Sequence, residues 1–106
     1  MNNNSVTALI EIKAMPKTKY GYSDLAKTIA QFKEVDSVNL MSGVFDLAVM
    51  VKCDSINQVG RFVAECLSPL EGVVNIATHF VIARYKEAGE ILDTLDDEDD
   101  RGLYTV

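Results

Sequence analysis

The sequence is poor in the residues on which enzymes and secreted proteins most often depend. Among 106 residues it has two cysteines, Cys53 and Cys66, and one histidine, His79. Two cysteines make neither a disulfide framework nor a zinc site. The six glycines are scattered, so no glycine-rich loop is available to cradle a phosphate. No apolar run approaches the roughly 20 residues that a membrane-spanning helix needs. The opening Met1-Asn2-Asn3-Asn4-Ser5 lacks the basic patch and apolar stretch of a secretory signal. These absences lead to an expectation of a reduced, cytoplasmic setting with no membrane partner.

Cations are also scarce where they would matter for nucleic acid. The net charge is −6, but it is unevenly spread. Residues 1–86 hold nine basic and eight acidic side chains, whereas residues 87–106 hold eight acidic ones and a single arginine. The expected domain is therefore 1–86, nearly neutral, followed by an acidic C-terminal tail at 87–106. Phosphate contacts need clustered Lys and Arg, so direct nucleic-acid binding is not expected.

What is present is periodic apolar sequence. In residues 6–15, Ala8, Ile10, Ile12 and Ala14 alternate with Leu9, Glu11 and Lys13, which predicts a strand ended by Pro16. Ser23 is the expected N-cap of a helix to about Lys33, with Leu25, Ile29 and Phe32 on one stripe. Val35–Met41 and Val44–Cys53 read as two strands joined by a short Ser42-Gly43 turn. Ser55 with Gln58 matches a capping box, and Val59, Phe62, Val63, Cys66 and Leu67 form the stripe of a second helix. Val73 to about Tyr85 reads as the longest strand.

The order strand-helix-strand-strand-helix-strand predicts an α+β, ferredoxin-like βαββαβ fold. Two helices should cover one face of a four-stranded antiparallel sheet. The third and fourth strands carry apolar residues on both faces, including Val44, Ala48, Met50, Val73, Ala77, Val81 and Ala83. A contiguous apolar face left in water is a liability. A homodimer formed through the face opposite the helices is the expected remedy.

Catalytic constellations are missing from this pattern. His79 has no acid or thiol beside it in sequence, and Cys53 and Cys66 read as core residues. The tail carboxylates lack the spacing of a calcium loop. No metal, cofactor or enzymatic activity is expected. One constellation carries chemistry: Leu40-Met41-Ser42-Gly43-Val44-Phe45-Asp46. A turn with glycine exposes N–H groups suited to a carboxylate. Asp46 is an acid in an apolar strand, which costs several kcal/mol unless donors or a cation satisfy it. A ligand with both an ammonium and a carboxylate is complementary to this pair of features. A structural reading stands beside it, in which Asp46 braces the neighbouring turn or pairs with a lysine.

The segment Ser42-Gly43-Val44-Phe45-Asp46-Leu47 resembles the ligand-binding domain of the leucine-responsive/asparagine-operon regulators, the Lrp/AsnC family. So do Leu70-Glu71-Gly72-Val73 and Thr78, which precede a strand ending at Lys86. The resemblance covers residues 6–86. It implies a sensor of free amino acids or similar small effectors, built from face-to-face dimers that assemble further, commonly as an octamer of four dimers. The effector is expected in a cleft between dimers. By position, the effector-binding residues are Leu40, Gly43 and Asp46 at the hairpin, and Thr78, His79 and Phe80 on the last strand. Asp46 is expected to hold the ammonium, with the Gly43 backbone and the Thr78 hydroxyl on the carboxylate. The family's helix-turn-helix has no counterpart in this sequence, which is expected either of a stand-alone sensor, the reading the start at Met1 favours, or of a fragment of a longer regulator. Partners such as full-length Lrp/AsnC regulators would then relay its signal to transcription.

Two other readings share this strand order. An ACT-like regulatory domain usually places glycine and an acid in the first strand-to-helix loop, but Pro16-Lys17-Thr18-Lys19-Tyr20-Gly21 has no acid. A small dimeric α+β barrel enzyme, such as a monooxygenase or isomerase, would keep its pocket inside one protomer.

Overall fold

The computed structural model describes residues 5–17 and 20–92. Its elements are β1 (Val6–Ala14), α1 (Gly21–Ala30), β2 (Val35–Leu40), β3 (Leu47–Cys53), α2 (Ile56–Phe62), β4 (Val73–Phe80), β5 (Lys86–Glu87) and β6 (Glu90–Ile91). The first four strands form one antiparallel sheet in the order β2-β3-β1-β4, and β5 and β6 form a separate hairpin. The expected ferredoxin-like α+β arrangement is therefore present.

Alternation along the central strands creates the core. Ala8, Ile10, Ile12 and Ala14 of β1 and Leu47, Val49, Val51 and Cys53 of β3 are buried on the same sheet face. Leu25 and Ile29 of α1 and Val59, Phe62 and Leu67 close over them. Burying each of the larger aliphatic side chains stabilises the fold by roughly 1.5–3 kcal/mol. Phe32 meets Phe62 edge-on, with ring centres 5.4 Å apart, and so links the two helices.

Helix boundaries differ from the periodic reading. Tyr20, not Ser23, stands at the N-cap of α1, because Gly21 lets the first turn lie against Pro16. A Cβ at Gly21 would sit 2.0 Å from the Pro16 Cβ. The helix ends at Ala30 rather than near Lys33, where Gln31 and Phe32 donate to carbonyls three residues back. The second cap is as expected: the Gln58 N–H donates to Ser55 Oγ at 3.0 Å. The Gln58 side chain reaches back to the Asp54 N–H rather than to Ser55. Beyond Phe62 the helix widens into a π turn, Val63–Leu67.

Two expected strands are shorter than their apolar sequence. β3 begins at Leu47, and Met41–Asp46 form a six-residue loop instead of a tight two-residue turn. Leu40 pairs with Leu47, and the Met41 N–H donates to the Asp46 carbonyl. β4 ends at Phe80 rather than Tyr85: its last ladder pair is Ala8–Phe80, and the Val81 N–H still reaches the Thr7 carbonyl before the chain leaves the sheet. Lys86–Ile91 then fold back through Ala88 and Gly89, both at positive φ. This hairpin spans the expected boundary between Lys86 and Glu87. The rest of the acidic segment, 93–106, lies outside the described residues.

The face opposite the helices is mixed, not contiguously apolar. Leu9, Ala48, Met50 and Ala77 share it with Glu11, Lys13, Asn39, Asn75 and His79. The expected contributors Val44, Val81 and Ala83 lie outside the strands, and Val73 pairs with core-facing Ala14. A register shift between Lys13 and Ala14 turns Val73 inward, which the strict alternation of the sequence does not anticipate.

Candidate functional site

The hairpin group and the β4 group are built differently. Asp46 closes the loop after β2. Its N–H donates to the Ile12 carbonyl at 2.9 Å, and its Oδ2 accepts the Ala14 N–H at 2.8 Å. Lys13 Nζ is 4.0 Å from the same oxygen. The β1–β3 ladder ends at Ile12–Leu47, so on that side the Ala14 N–H has no ladder carbonyl to meet. The carboxylate supplies an acceptor, and Tyr22 Oη donates to the Ala14 carbonyl at 3.3 Å. Asp46 therefore braces the end of β1 rather than the Ser42-Gly43 turn, and the lysine that the structural alternative also offered is Lys13. A charge-assisted bond of this kind contributes about 1.5–3 kcal/mol.

Gly43 sits at the loop tip with φ of 126°, and a Cβ added there would meet nothing within 4 Å. Leu40 is exposed at the end of β2 and lines an apolar cleft of about 420 Å³ with Tyr22, Ala26, Ala30 and Val38. The three β4 residues divide between the two faces. Thr78 pairs with Ile10 and Phe80 with Ala8, on the helix side, while His79 pairs with Leu9 on the open side. The His79 Nε2 lies 3.0 Å from Glu11 Oε1, so the histidine has an acid partner that its own sequence neighbours do not reveal. Phe80 lines a second cleft, of about 360 Å³. Leu40, Gly43 and Asp46 thus lie at one end of the β2–β3 pair and Thr78–Phe80 on the opposite edge strand. Neither cleft contains members of both groups.

Neither cysteine is poised as a nucleophile. Burial pushes the Cys53 thiol above its ordinary value, and the Glu34 and Asp54 carboxylates push it further. Cys66 is shifted in the same direction, by burial first and then by Glu34 and Glu65. Among the described residues no three His, Cys, Asp or Glu side chains converge as a metal site. Nor is any described helix long and apolar enough to cross a membrane. One residue absent from the sequence reading is Arg84, which lines the Phe80 cleft. Its signal was available: it is the single cation ending the apolar run Val81-Ile82-Ala83.

The chain is similar to known proteins in sequence and in fold. The HTH-type transcriptional regulator YugG of Bacillus subtilis, itself uncharacterized, is 44% identical over 96 residues, covering 91% of this chain and 58% of that protein. The chain thus spans little more than half of that relative. The transcriptional regulator NMB0573 of Neisseria meningitidis, solved as an L-Met complex, superposes with a TM-score of 0.74 at 23% identity, covering 86% of this chain and 58% of the other. An AsnC family transcriptional regulator from Agrobacterium tumefaciens superposes with a TM-score of 0.72 at 20% identity, covering 86% and 59%. These two likenesses concern the fold. The sequence model of the Lrp/AsnC ligand binding domain matches residues 7–91, from β1 through the β5–β6 hairpin, and the chain belongs to that family.

Proposed function

We propose that the chain is a non-enzymatic module that binds a free amino acid or a similar small effector, oligomerises, and modulates transcription through partners. The family match over residues 7–91 carries this reading. The L-Met complex of the Neisseria regulator supports an amino acid as the effector class.

The separation of the two residue groups bears on how a site would form. Leu40, Gly43 and Asp46 cannot meet Thr78, His79 and Phe80 within one sheet, because β3 and β1 lie between them. Two chains could supply one group each, which fits a cleft between dimers, within an octamer of four. The open face, with Leu9, Met50, Ala48 and Ala77 around the Glu11–His79 pair, is the proposed dimer surface. Full-length Lrp/AsnC regulators are the proposed partners, a cytoplasmic location is proposed, and the chain itself is not proposed to bind nucleic acid. The structure gives the barrel-enzyme alternative no specific support.

A thermal-shift screen against the twenty amino acids tests the reading, with light scattering in parallel. An effector at 100 times its Kd adds about 2.7 kcal/mol, a displacement of several degrees for a domain of this size. Stabilisation by one amino acid or a small subset, in a dimer or larger species, is the expected result. A monomer at micromolar concentration that no amino acid stabilises would overturn it.

A further inference from the structure

Where β4 stops, the chain stays beside the sheet. The Val81 N–H donates to the Thr7 carbonyl at 2.9 Å, and residues 81–84 continue past the start of β1 outside the ladder. Between this segment, Val6 and Ile56 at the beginning of α2 lies the cleft of about 360 Å³. That volume falls at the low end of the range for small-molecule pockets, roughly 300–1,000 Å³, and suits a ligand of amino-acid size. The walls are mainly apolar, with Val6, Ile56, Phe80, Val81 and Ile82 beside the hydroxyls of Ser5 and Thr7. Ile56 and Ile82 are 60% and 53% exposed, so both have apolar surface left to cover.

One cation stands at this apolar cleft. The Arg84 guanidinium donates to Thr7 Oγ1, and its Nε lies 3.8 Å from Glu87 Oε1. Thr7 is buried, so this bond fixes the direction of the guanidinium fork. A guanidinium has five N–H donors, and these two contacts leave donors free for a ligand. Among the described residues no acidic side chain lines the cleft. An ammonium would meet the Arg84 charge, with the nearby Glu87 already turned to that arginine, whereas a carboxylate would find the remaining donors of a planar fork held by Thr7.

We infer that this cleft takes a small aliphatic carboxylate, its hydrocarbon part against Ile56, Phe80 and Ile82 and its carboxylate on Arg84. The inference rests on the effector-binding reading above and adds to it a ligand class and a specificity-determining arginine. It also separates two recognition modes. A site organised around Asp46 requires the ligand's amine, whereas the Arg84 cleft reads the carboxylate and is indifferent to the amine.

Calorimetric titration of the intact chain with L-leucine, 4-methylpentanoate and 3-methylbutylamine tests this. These compounds carry the same branched chain with both charged groups, the carboxylate alone and the amine alone. Leucine and 4-methylpentanoate should bind, and 3-methylbutylamine should not. Arg84→Gln should weaken both ligands tenfold or more. Ile56→Trp, which fills the cleft while leaving Arg84 in place, should do the same, and the thermal midpoint of each variant verifies that it is folded. Equal binding of the amine, or wild-type affinity in both variants, would overturn the inference. So would leucine binding lost in Asp46→Ala but unaffected by Arg84→Gln, and that outcome would leave the effector-binding reading standing. If no amino acid binds the wild-type chain, both readings fail.

Discussion

β1 and β4 are neighbouring strands of similar length and comparable apolar content, yet they are buried very differently. In β1, Ala8, Ile10, Ile12 and Ala14 are at most 1% exposed. β4 has no fully buried residue; its Ile76 is half-buried and its Val74 is 57% exposed. The sheet order β2-β3-β1-β4 explains the contrast. A central strand has a partner on each side and helices above it, whereas an edge strand has one partner and a rim of solvent. Apolar sequence makes a strand possible, but position in the sheet decides how much that strand contributes to stability.

Substitution at matched positions can break this comparison. Ile10→Ala should destabilise the protein by about 2–5 kcal/mol, the range for a fully buried aliphatic cut back to alanine. Ile76→Ala, on the same sheet face in β4 and two register pairs along, should cost less than half as much in the same urea titration. Equal losses would mean that β4 is buried in solution by something that covers its edge. Asp46→Ala comes next, at roughly 1–3 kcal/mol in the ligand-free protein, because it leaves the Ala14 N–H without its carboxylate. Unchanged stability would show that the brace contributes nothing and that the carboxylate is held for another purpose.

The pH response is smaller and falls on the central strand. Burial raises the Cys53 thiol above 9.0, so the folded chain keeps its proton where the unfolded chain loses it. Stability from this group is complete below pH 9.0 and declines as pH rises through the elevated folded value. Cys53→Ala should flatten that decline in denaturation curves collected on both sides of pH 9.0. The smallest effect belongs to the exposed edge: Val74→Ala should change stability by no more than about 0.5 kcal/mol.

The same contrast separates what could be read in the sequence from what could not. Ile10, Val49, Ile29 and Val59 were legible because their periods of two and 3.6 are local signals, and Ser55–Gln58 was legible because a cap is local too. The end of β4 was not. Val81-Ile82-Ala83 continues the apolar pattern, but the ladder stops at Ala8–Phe80 with Val6 and Thr7 still beyond it, and no local sequence signal marks that end. Asp46 was legible as a carboxylate in need of donors, but its donor is Ala14, 32 residues away. The His79–Glu11 pair was hidden for the same reason, since only the register between β1 and β4 brings the two together. The open face was overestimated because a register shift, invisible to alternation, turns Val73 toward the helices.

The central claim is that this fold binds a small effector without transforming it. Calorimetric titration of the intact chain, using the amino acid that gives the largest thermal shift, tests it most directly when the ligand is recovered and analysed afterwards. The account predicts saturable heat and chemically unchanged ligand. No saturable heat with any of the twenty amino acids, or a ligand recovered as product, would contradict it.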